Sequence, residues 1–394
     1  MIHSIRIQNF KAIQDSGRIK FQEMNAFIGN NGTGKSSIIE AMQLLQDLIF
    51  KKDFNDVFKQ WGGLDKIRNK YSDIDSLNSQ SETKEKLKKN KLGIARTHLP
   101  ISIQLNAKIN KETYEYEINL NTSVDGSYYQ NEYEILKVNK KVIYEDAPSY
   151  LIGKKKLDGK SPLTPELIEL KYRDDEYSIA LTNFIRSWQF LNLNAHTIGL
   201  PIEADKNPAE KFMKTDGSNL VEILRQEFKN REELLNIIEK VKYVLPYLTD
   251  IHTSVSTDIK DLLFLEMTEN SKFKIPGWLL SSGTVRILAM LTALNKKKPS
   301  PVLFIEEIEN GLDPRTINLL LSEIQANMDT TQFIVTTHSP YFLDLLDLSH
   351  IILVEKDKET GTTFDRPEND EKLKGWKDKF SPGQLYLMDR MGKK

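Results

Sequence analysis

Residues 29–36, Gly29-Asn30-Asn31-Gly32-Thr33-Gly34-Lys35-Ser36, decide the fold of this chain. They match the phosphate-loop pattern G-x-x-x-x-G-K-[ST] at every fixed position. The apolar run from Met24 to Ile28 precedes them and predicts a buried strand, and residues 37–45 follow with apolar side chains at helical spacing. Strand, glycine loop and helix form the context that separates a phosphate loop from a glycine-rich turn with an incidental lysine. The sequence therefore predicts an α/β core.

This loop has the composition of a nucleoside triphosphate site. Glycines allow positive φ angles and the close backbone approach that a ring of N–H donors around phosphate requires. The helix N-terminus adds roughly half a positive charge at the same place. We expect Lys35 to be a surface ligand of the β- and γ-phosphates and Ser36 to hold Mg²⁺. The predicted nucleotide-binding residues of the loop are Asn30, Asn31, Gly32, Thr33, Gly34, Lys35, Ser36 and Ser37.

A second apolar run, Val302 to Ile305, ends in two carboxylates and fits a Walker B strand. Ligands bind at the carboxyl ends of parallel strands. We therefore expect Glu306 to hold the Mg²⁺ shell and Glu307 to orient or deprotonate the attacking water. Most proteins with this motif have Asp where Glu306 stands, and the extra methylene suits a contact through a water. Without the phosphate loop, two glutamates after a strand would equally fit a solvated turn.

Three further stretches follow in a fixed order. Residues 280–284, Leu-Ser-Ser-Gly-Thr, precede an apolar-periodic helix with Ser as its N-cap. Residues 309–314, Glu-Asn-Gly-Leu-Asp-Pro, come directly after the two carboxylates, and the apolar strand 332–337 ends in His338-Ser339-Pro340. With residues 5–11, Ile-Arg-Ile-Gln-Asn-Phe-Lys, this order resembles the ABC-type ATPases of the SMC, RecF and OLD group: Walker A, signature, Walker B, D-loop and switch histidine.

The resemblance covers most of the chain but is weak across residues 65–200. Residues 216–220 and 383–386 are similar to those of stand-alone OLD- and RecF-like ATPases, including the ATPases of antiphage defence systems. The resemblance implies an ABC-type P-loop ATPase core that hydrolyses ATP. This core has a mixed and parallel sheet with flanking helices. The resemblance also implies that Ser281 and Gly283 sense the γ-phosphate, although Ser282 stands where the family usually has Gly or Asp. His338 is expected to act as the catalytic γ-phosphate sensor, whereas an isolated histidine after a strand is usually structural.

One chain carries one phosphate loop and one signature. In the family that the chain resembles, the signature of one subunit closes on the nucleotide held by the other. The resemblance therefore implies a homodimer, or a higher oligomer of dimers, that closes head to tail around two ATP molecules.

Composition fits a soluble, cytoplasmic enzyme. The 394 residues exceed one ordinary domain and include no cysteine, which excludes disulfides and thiolate metal sites. No apolar run reaches the ~18 residues of a membrane span, and the first twenty residues lack the apolar core of a signal peptide. The formal net charge of -1 gives the whole chain no electrostatic bias toward nucleic acid.

The sequence between the phosphate loop and the signature predicts an inserted β/α region. We divide the chain into an N-terminal lobe (1–64), an insertion (65–275) and a C-terminal lobe (276–394). Residues 68–97 are polar and Lys-rich and predict a mobile loop. Alternation from Pro100 to Tyr144 predicts antiparallel strands, with a turn at Asp125-Gly126. Helices are predicted at 164–187, 218–228 and 231–243, and the absence of sustained heptads predicts no long coiled coil.

The sequence leaves open which process the ATPase controls. The leading hypothesis is a switch that controls a separately encoded effector, as in bacterial antiphage defence. The alternative is a RecF-like DNA-binding ATPase in repair. A GTPase or small-molecule kinase is disfavoured because no Asn-Lys-x-Asp guanine motif occurs. Lysine runs could contact DNA but more often form a solvated face. They are Lys84, Lys86, Lys88, Lys89 and Lys91; Lys154 to Lys156; and Lys296 to Lys298.

We expect no nuclease in this chain. OLD-family nucleases carry a metal-binding domain after the switch histidine, and residues 353–357 lack the following glycine and spaced aspartates of that domain. The roughly fifty residues after His338 are fewer than such a domain needs. The carboxylates of this tail are Asp344, Asp347, Glu355, Asp357 and Glu359, which we expect to be solvated or capping groups.

Overall fold

The computed structural model describes most of the chain. The described residues are 1–51, 54–75, 84, 87–89, 96–124, 129–146, 169–203, 212–227, 231–256, 262–357, 361–373, 375–376 and 378–391. The predicted turn at Asp125-Gly126 and the lysines Lys86, Lys91 and Lys154 to Lys156 lie outside these ranges. Contacts divide the chain into a first unit (Met1–Gln22, Ile28–Trp188 and Ile352–Arg366) and a second unit (Glu23–Phe27, Gln189–Ile351 and Pro367–Lys394). The three-segment division made from the sequence stays a prediction.

The strands are β1 (Ile2–Phe10), β2 (Ile13–Asp15), β3 (Ile19–Lys20), β4 (Met24–Ile28), β5 (Ile101–Ile109), β6 (Glu112–Thr122), β7 (Tyr129–Val138), β8 (Lys141–Asp146), β9 (Gln189–Leu191), β10 (Ile202–Glu203), β11 (Leu248–Val255), β12 (Leu262–Glu269), β13 (Phe273–Pro276), β14 (Val302–Ile305), β15 (Gln332–Thr337), β16 (Ile351–Asp357) and β17 (Gly361–Asp365).

The α-helices are α1 (Lys35–Phe50), α2 (Phe54–Gln60), α3 (Leu64–Ile67), α4 (Glu169–Tyr172), α5 (Glu176–Arg186), α6 (Ala195–Ile198), α7 (Leu220–Glu227), α8 (Arg231–Val244), α9 (Ser282–Leu294), α10 (Pro314–Asn327), α11 (Pro340–Asp344) and α12 (Pro382–Leu387). The longest helix of the described residues, α1, has 16 residues, so this part of the chain contains no coiled-coil arm. None of these helices is long and apolar enough to cross a membrane.

The first unit is built on an antiparallel sheet. Its strand order is β2-β1-β5-β6-β7-β8, and β3 also pairs with β1, at Ser4 and Ile5. Strands β5 to β8 confirm the alternation read from the sequence. Two of their hairpins close with the two-residue turns Asn110-Lys111 and Asn139-Lys140, in which all four residues have positive φ. Such turns match the twist of the flanking strands, so local sequence fixes this register.

The second unit contains the parallel strands that the sequence predicts for an ATPase core. Strand β14 lies between β15 and β9 and pairs with both in parallel. The start of β4 flanks β15, where the N–H of Phe333 donates to the carbonyl of Glu23 at 2.7 Å. All four residues of β14 and all six of β15 are buried. A second, antiparallel sheet has the order β10-β12-β11, with β13 also paired to β12.

One helix prediction is wrong. The single helix expected at 164–187 is two helices, α4 and α5, and residues 164–168 lie outside the described ranges. Asp175 starts α5, because its side chain accepts a hydrogen bond from the N–H of Ser178 at 2.9 Å. An N-cap residue has an extended backbone and so interrupts a helix. Helices α7 and α8 agree with the predictions at 218–228 and 231–243.

The predicted mobile loop at 68–97 is partly folded. Ile74 is fully buried, and its N–H donates to the carbonyl of Thr97 at 3.1 Å. Lys88 pairs with Asp75 at 2.9 Å. Most of residues 76–95 lie outside the described ranges, and mobility there stays a prediction.

Candidate active site

The phosphate loop joins β4 to α1 as the sequence predicts. Gly32 (φ 76°) and Gly34 (φ 108°) have the left-handed backbone that favours glycine. Gly34 is the N-cap of α1, and no side chain caps this helix. A Cβ added at Gly32 would meet no described atom within 4 Å, so the loop faces open space there. No side chain therefore competes with an anion for the start of α1, as a triphosphate site requires.

The loop residues differ in exposure. Asn30, Asn31, Gly32 and Ser36 are exposed, while Thr33 and Ser37 are buried. The hydroxyl of Thr33 donates to the carbonyl of Asn30 at 2.9 Å. An exposed Ser36 hydroxyl fits the predicted contact to Mg²⁺, whereas the buried Thr33 side chain holds the loop itself.

Lys35 is not the surface residue that we expected. It is only 6% exposed, and its Nζ donates to the carbonyls of Gly29 at 2.8 Å and Asn30 at 2.9 Å. The ammonium group is thus hydrogen-bonded to two backbone carbonyls of its own loop. That Lys35 also binds phosphate stays a prediction.

Two segments distant in sequence pack against the loop within the first unit. Gly29 packs against β16. A Cβ added at Gly29 would lie 2.0 Å from the carbonyl oxygen of Val354 on that strand. The hydroxyl of Thr362 on β17 lies 2.8 Å from the carbonyl of Thr33 and 3.0 Å from that of Ala12. The first glycine is therefore required by packing. The sequence offered no signal for the partners Val354 and Thr362, because their proximity depends on the tertiary fold.

The second unit places Glu306 at the carboxyl end of β14. Its N–H donates to the carbonyl of Leu191, the last residue of the neighbouring strand β9, at 2.8 Å. Asn192, which follows β9 directly, donates from its amide Nδ2 to Glu306 Oε1 at 3.3 Å. Asn192 therefore orients the carboxylate predicted to hold the metal shell. Sequence reasoning missed this residue, which lies 114 positions before Glu306.

Glu307 has a strained backbone. Its φ of 47° is in the left-handed region, which few non-glycine residues adopt. Its N–H donates to the Thr336 hydroxyl at 2.9 Å, and its Oε2 accepts from the Asn310 amide at 3.1 Å. Strain of this kind persists only where the surroundings fix it, and it concentrates at functional sites. The side chain is exposed, as a group that activates water must be.

His338 follows β15 directly and is exposed. Its backbone N–H donates to Glu309 Oε1 at 2.5 Å. The next residue, Ser339, caps α11 through the N–H of Phe342 at 3.2 Å. The backbone of His338 is thus hydrogen-bonded to the segment that follows Glu307, and its role as γ-phosphate sensor stays a prediction.

Ser281 is the N-cap of α9, as the Ser-rich start predicted. Its Oγ accepts from the N–H of Thr284 at 3.2 Å. The helix is buried from Thr284 to Leu294, whereas Ser281 and Ser282 are exposed. A Cβ added at Gly283 would lie 2.7 Å from the carbonyl oxygen of Gly311. Gly283 therefore also allows the helix to pack on the D-loop.

The site residues are divided between the two units. The loop residues 30–37 belong to the first unit. The residues Ser281, Gly283, Glu306, Glu307 and His338 belong to the second, where Gly283 lies on the D-loop and His338 is bonded to Glu309.

Residues 24–344 match the protein family described as "AAA domain, putative AbiEii toxin, Type IV TA system". The match covers most of the chain. The chain belongs to this family. It is an ATPase with an ABC-type P-loop fold of the SMC, RecF and OLD group, as the motif order predicted.

Similar proteins agree with this assignment. An "ATP/GTP phosphatase" of Helicobacter pylori is 24% identical over 375 residues, which is 91% of this chain and 90% of that protein. The "Retron Ec83 probable ATPase" of Escherichia coli is 24% identical over 220 residues, 52% of this chain and 39% of that protein. The crystal structure of "the SmcHead bound to the C-winged helix domain of ScpA" superposes with a TM-score of 0.54 at 13% identity, covering 92% of this chain and 97% of that one. This last likeness concerns the fold alone.

Proposed function

We propose that this chain is an ATP-driven switch in which two copies close head to tail around two ATP molecules. The exposed start of α9 carries the proposal. This helix is buried from Thr284 to Leu294, whereas Ser281 and Ser282 at its start are exposed. The first N–H groups of a helix have no acceptor within it and attract anions. Because this end is open, the γ-phosphate held by a partner chain can reach it.

The chemistry of the proposed site divides among five side chains. Lys35 binds phosphate, and Ser36 and Glu306 hold Mg²⁺, with Asn192 orienting the carboxylate of Glu306. The metal neutralises charge on the phosphates when it is bound. Glu307 takes the proton of the attacking water, and its fixed backbone limits the directions in which its carboxylate can point.

We propose that the output is control of a separately encoded effector in bacterial antiphage defence. Two comparisons support this: the family description names a putative toxin and a toxin–antitoxin system, and one similar protein is named a retron probable ATPase. The lysine run 296–298 gives little support to the DNA-binding alternative. Lys296 is buried against the Phe212 ring at 4.5 Å, and Lys297 pairs with Glu233 at 3.1 Å.

Mixing two inactive variants tests the composite site. Lys35→Met removes the phosphate ligand, and Ser281→Arg blocks the start of α9 at an exposed position. Each variant alone should hydrolyse almost no ATP. A mixed dimer rebuilds one intact site, so an equal mixture should recover about a quarter of wild-type activity if subunits exchange at random. The measurement is steady-state phosphate release as a function of mixing ratio.

The matched control is a Lys35→Met variant that also carries Ser281→Arg, mixed with either single variant, because no such dimer contains an intact site. Subunit exchange must be shown independently with two differently labelled chains. If exchange occurs and the single variants still stay inactive together, the head-to-tail arrangement is wrong.

The purified chain is expected to leave DNA intact. Two-metal cleavage needs several convergent carboxylates, and Asp344 is instead bonded to the N–H of Gly383 at 2.6 Å. Asp347 precedes a short 3-10 helix, Glu355 and Asp357 end β16, and Glu359 lies outside the described residues. Plasmid and linear DNA incubated with ATP and Mg²⁺ or Mn²⁺ should show no nicking on gels. Nicking that copurifies with the chain and disappears in Asp357→Asn would make the chain a nuclease.

A further inference from the structure

Two oppositely charged groups of the second unit have buried atoms with no hydrogen-bond partner. Arg286, in the second turn of α9, is 6% exposed, and its Nε has no partner among the described residues. The Oε2 atom of Glu309 is also buried and unpartnered in that part of the chain. Buried donors and acceptors are paired in the great majority of cases. A bond between the two groups, which this conformation lacks, would satisfy both atoms.

Both groups lie at the loop that follows Glu306. A Cβ added at Gly311 would be 3.7 Å from Arg286 Cδ, so the stem of the arginine lies on the D-loop. Burial lowers the pKa of the Arg286 guanidinium, and the nearby carboxylates of Glu307 and Glu309 oppose this by raising it. The other oxygen of Glu309, Oε1, already accepts from the N–H of His338. The orphan donor and the orphan acceptor thus share one cluster.

We propose that Arg286 and Glu309 are positioning residues that form an ion pair when ATP is bound and couple the start of α9 to Glu307 and His338. This inference rests on the proposed function. Both groups are linked to residues that the proposed function assigns to the γ-phosphate. Arg286 lies on the helix that Ser281 caps, and Glu309 accepts a hydrogen bond from the backbone of His338. A ligand shifts an equilibrium only by interactions that differ between two states. A bond made in one state alone supplies such a difference.

The ion pair of Lys240 and Glu323, in the same unit, is fully formed in this structure and serves as a comparison. Lys240 on α8 bonds Glu323 on α10 at 2.6 Å, and both side chains are largely buried. That pair is already made in this structure and should stabilise the fold. It therefore provides a matched control for a pair that acts only in the ATP-bound state.

The test is a double-mutant cycle with Arg286→Met, Glu309→Gln and the double variant. Steady-state kcat and KM for ATP and the nucleotide-free Tm are measured for each. Each single variant should lower kcat about tenfold with KM changed less than about twofold, and the double variant should be no slower than the slower single variant. Their effects on the nucleotide-free Tm should simply add. The cycle of Lys240→Met and Glu323→Gln should show the reverse: coupling in Tm and none in kcat.

Two outcomes would overturn the inference. If the kcat losses multiply in the double variant, the two groups act independently. If the nucleotide-free Tm shows coupling as large as that of Lys240 and Glu323, the pair is a permanent structural bridge. Arg286→Lys, which keeps the charge, should retain most of the activity, and Arg286→Gln replaces Arg286→Met if the latter fails to fold. The cycle is measured on unmixed protein, so failure of the mixing experiment would refute the composite site without deciding this pair.

Discussion

Replacing Glu307 with glutamine is expected to slow ATP hydrolysis by at least ~10²-fold, within the range of losses for a general base. ATP affinity should stay within a few-fold of wild type. Glutamine has the same shape, and the bond from the Thr336 hydroxyl goes to the backbone N–H of residue 307, which the substitution keeps. The left-handed backbone costs glutamine about as much as glutamate, because both have a Cβ. Folding should therefore be unaffected.

The measurement combines single-turnover hydrolysis, equilibrium binding of a fluorescent ATP analogue and the Tm. Glu239→Gln is the matched control, since this glutamate is exposed in the same unit and its ion pair with Lys242 lies at the surface. In the proposed switch, the slow variant should also accumulate a dimer when ATP is added, visible by light scattering. Equal losses of binding and turnover would contradict the role of Glu307 as a base and indicate a structural or metal-binding residue.

The sequence predicted those parts of the site that depend on local spacing. The loop 29–36 has fixed positions, and β14 and β15 are short apolar runs that end in charged or polar groups. The Ser281 cap could be read because capping depends on residues three apart. Strands β5 to β8 alternate with period two and are joined by turns of suitable sequence.

What the sequence could not predict depends on long-range packing. Asn192 meets Glu306 because β9 and β14 pair in parallel, and no local pattern indicates which strands become neighbours. Thr362 supports the phosphate loop from more than three hundred residues away. The break before α5 was missed for a different reason. The residues at the break, 173–176, are Arg-Asp-Asp-Glu, which also suit the exposed face of a continuous helix, so the Asp175 cap is the one local signal for a new start.

Replacing Lys35 with methionine is expected to weaken ATP binding the most. Removing one partner of a buried, hydrogen-bonded charge pair costs about 2–5 kcal/mol, or roughly 30-fold to several thousand-fold in affinity. Methionine keeps the apolar stem in the buried position but has no donor for phosphate. It also leaves the carbonyls of Gly29 and Asn30 without the bonds that Lys35 makes. Stability without nucleotide should therefore fall too, by about 1–3 kcal/mol.

These two losses can be separated because only one of them depends on ATP. Wild type should gain Tm when ATP is added, since a ligand that binds only the folded state stabilises it. Lys35→Met should begin from a lower Tm and gain nothing at the same ATP concentration. Lys108→Met, at an exposed position on β5 in the same unit, should respond to ATP as wild type does. A folded Lys35→Met protein with undiminished hydrolysis would show that this loop is not the nucleotide site. A variant that loses stability but keeps its ATP-dependent gain would show that Lys35 holds the loop and does not bind phosphate.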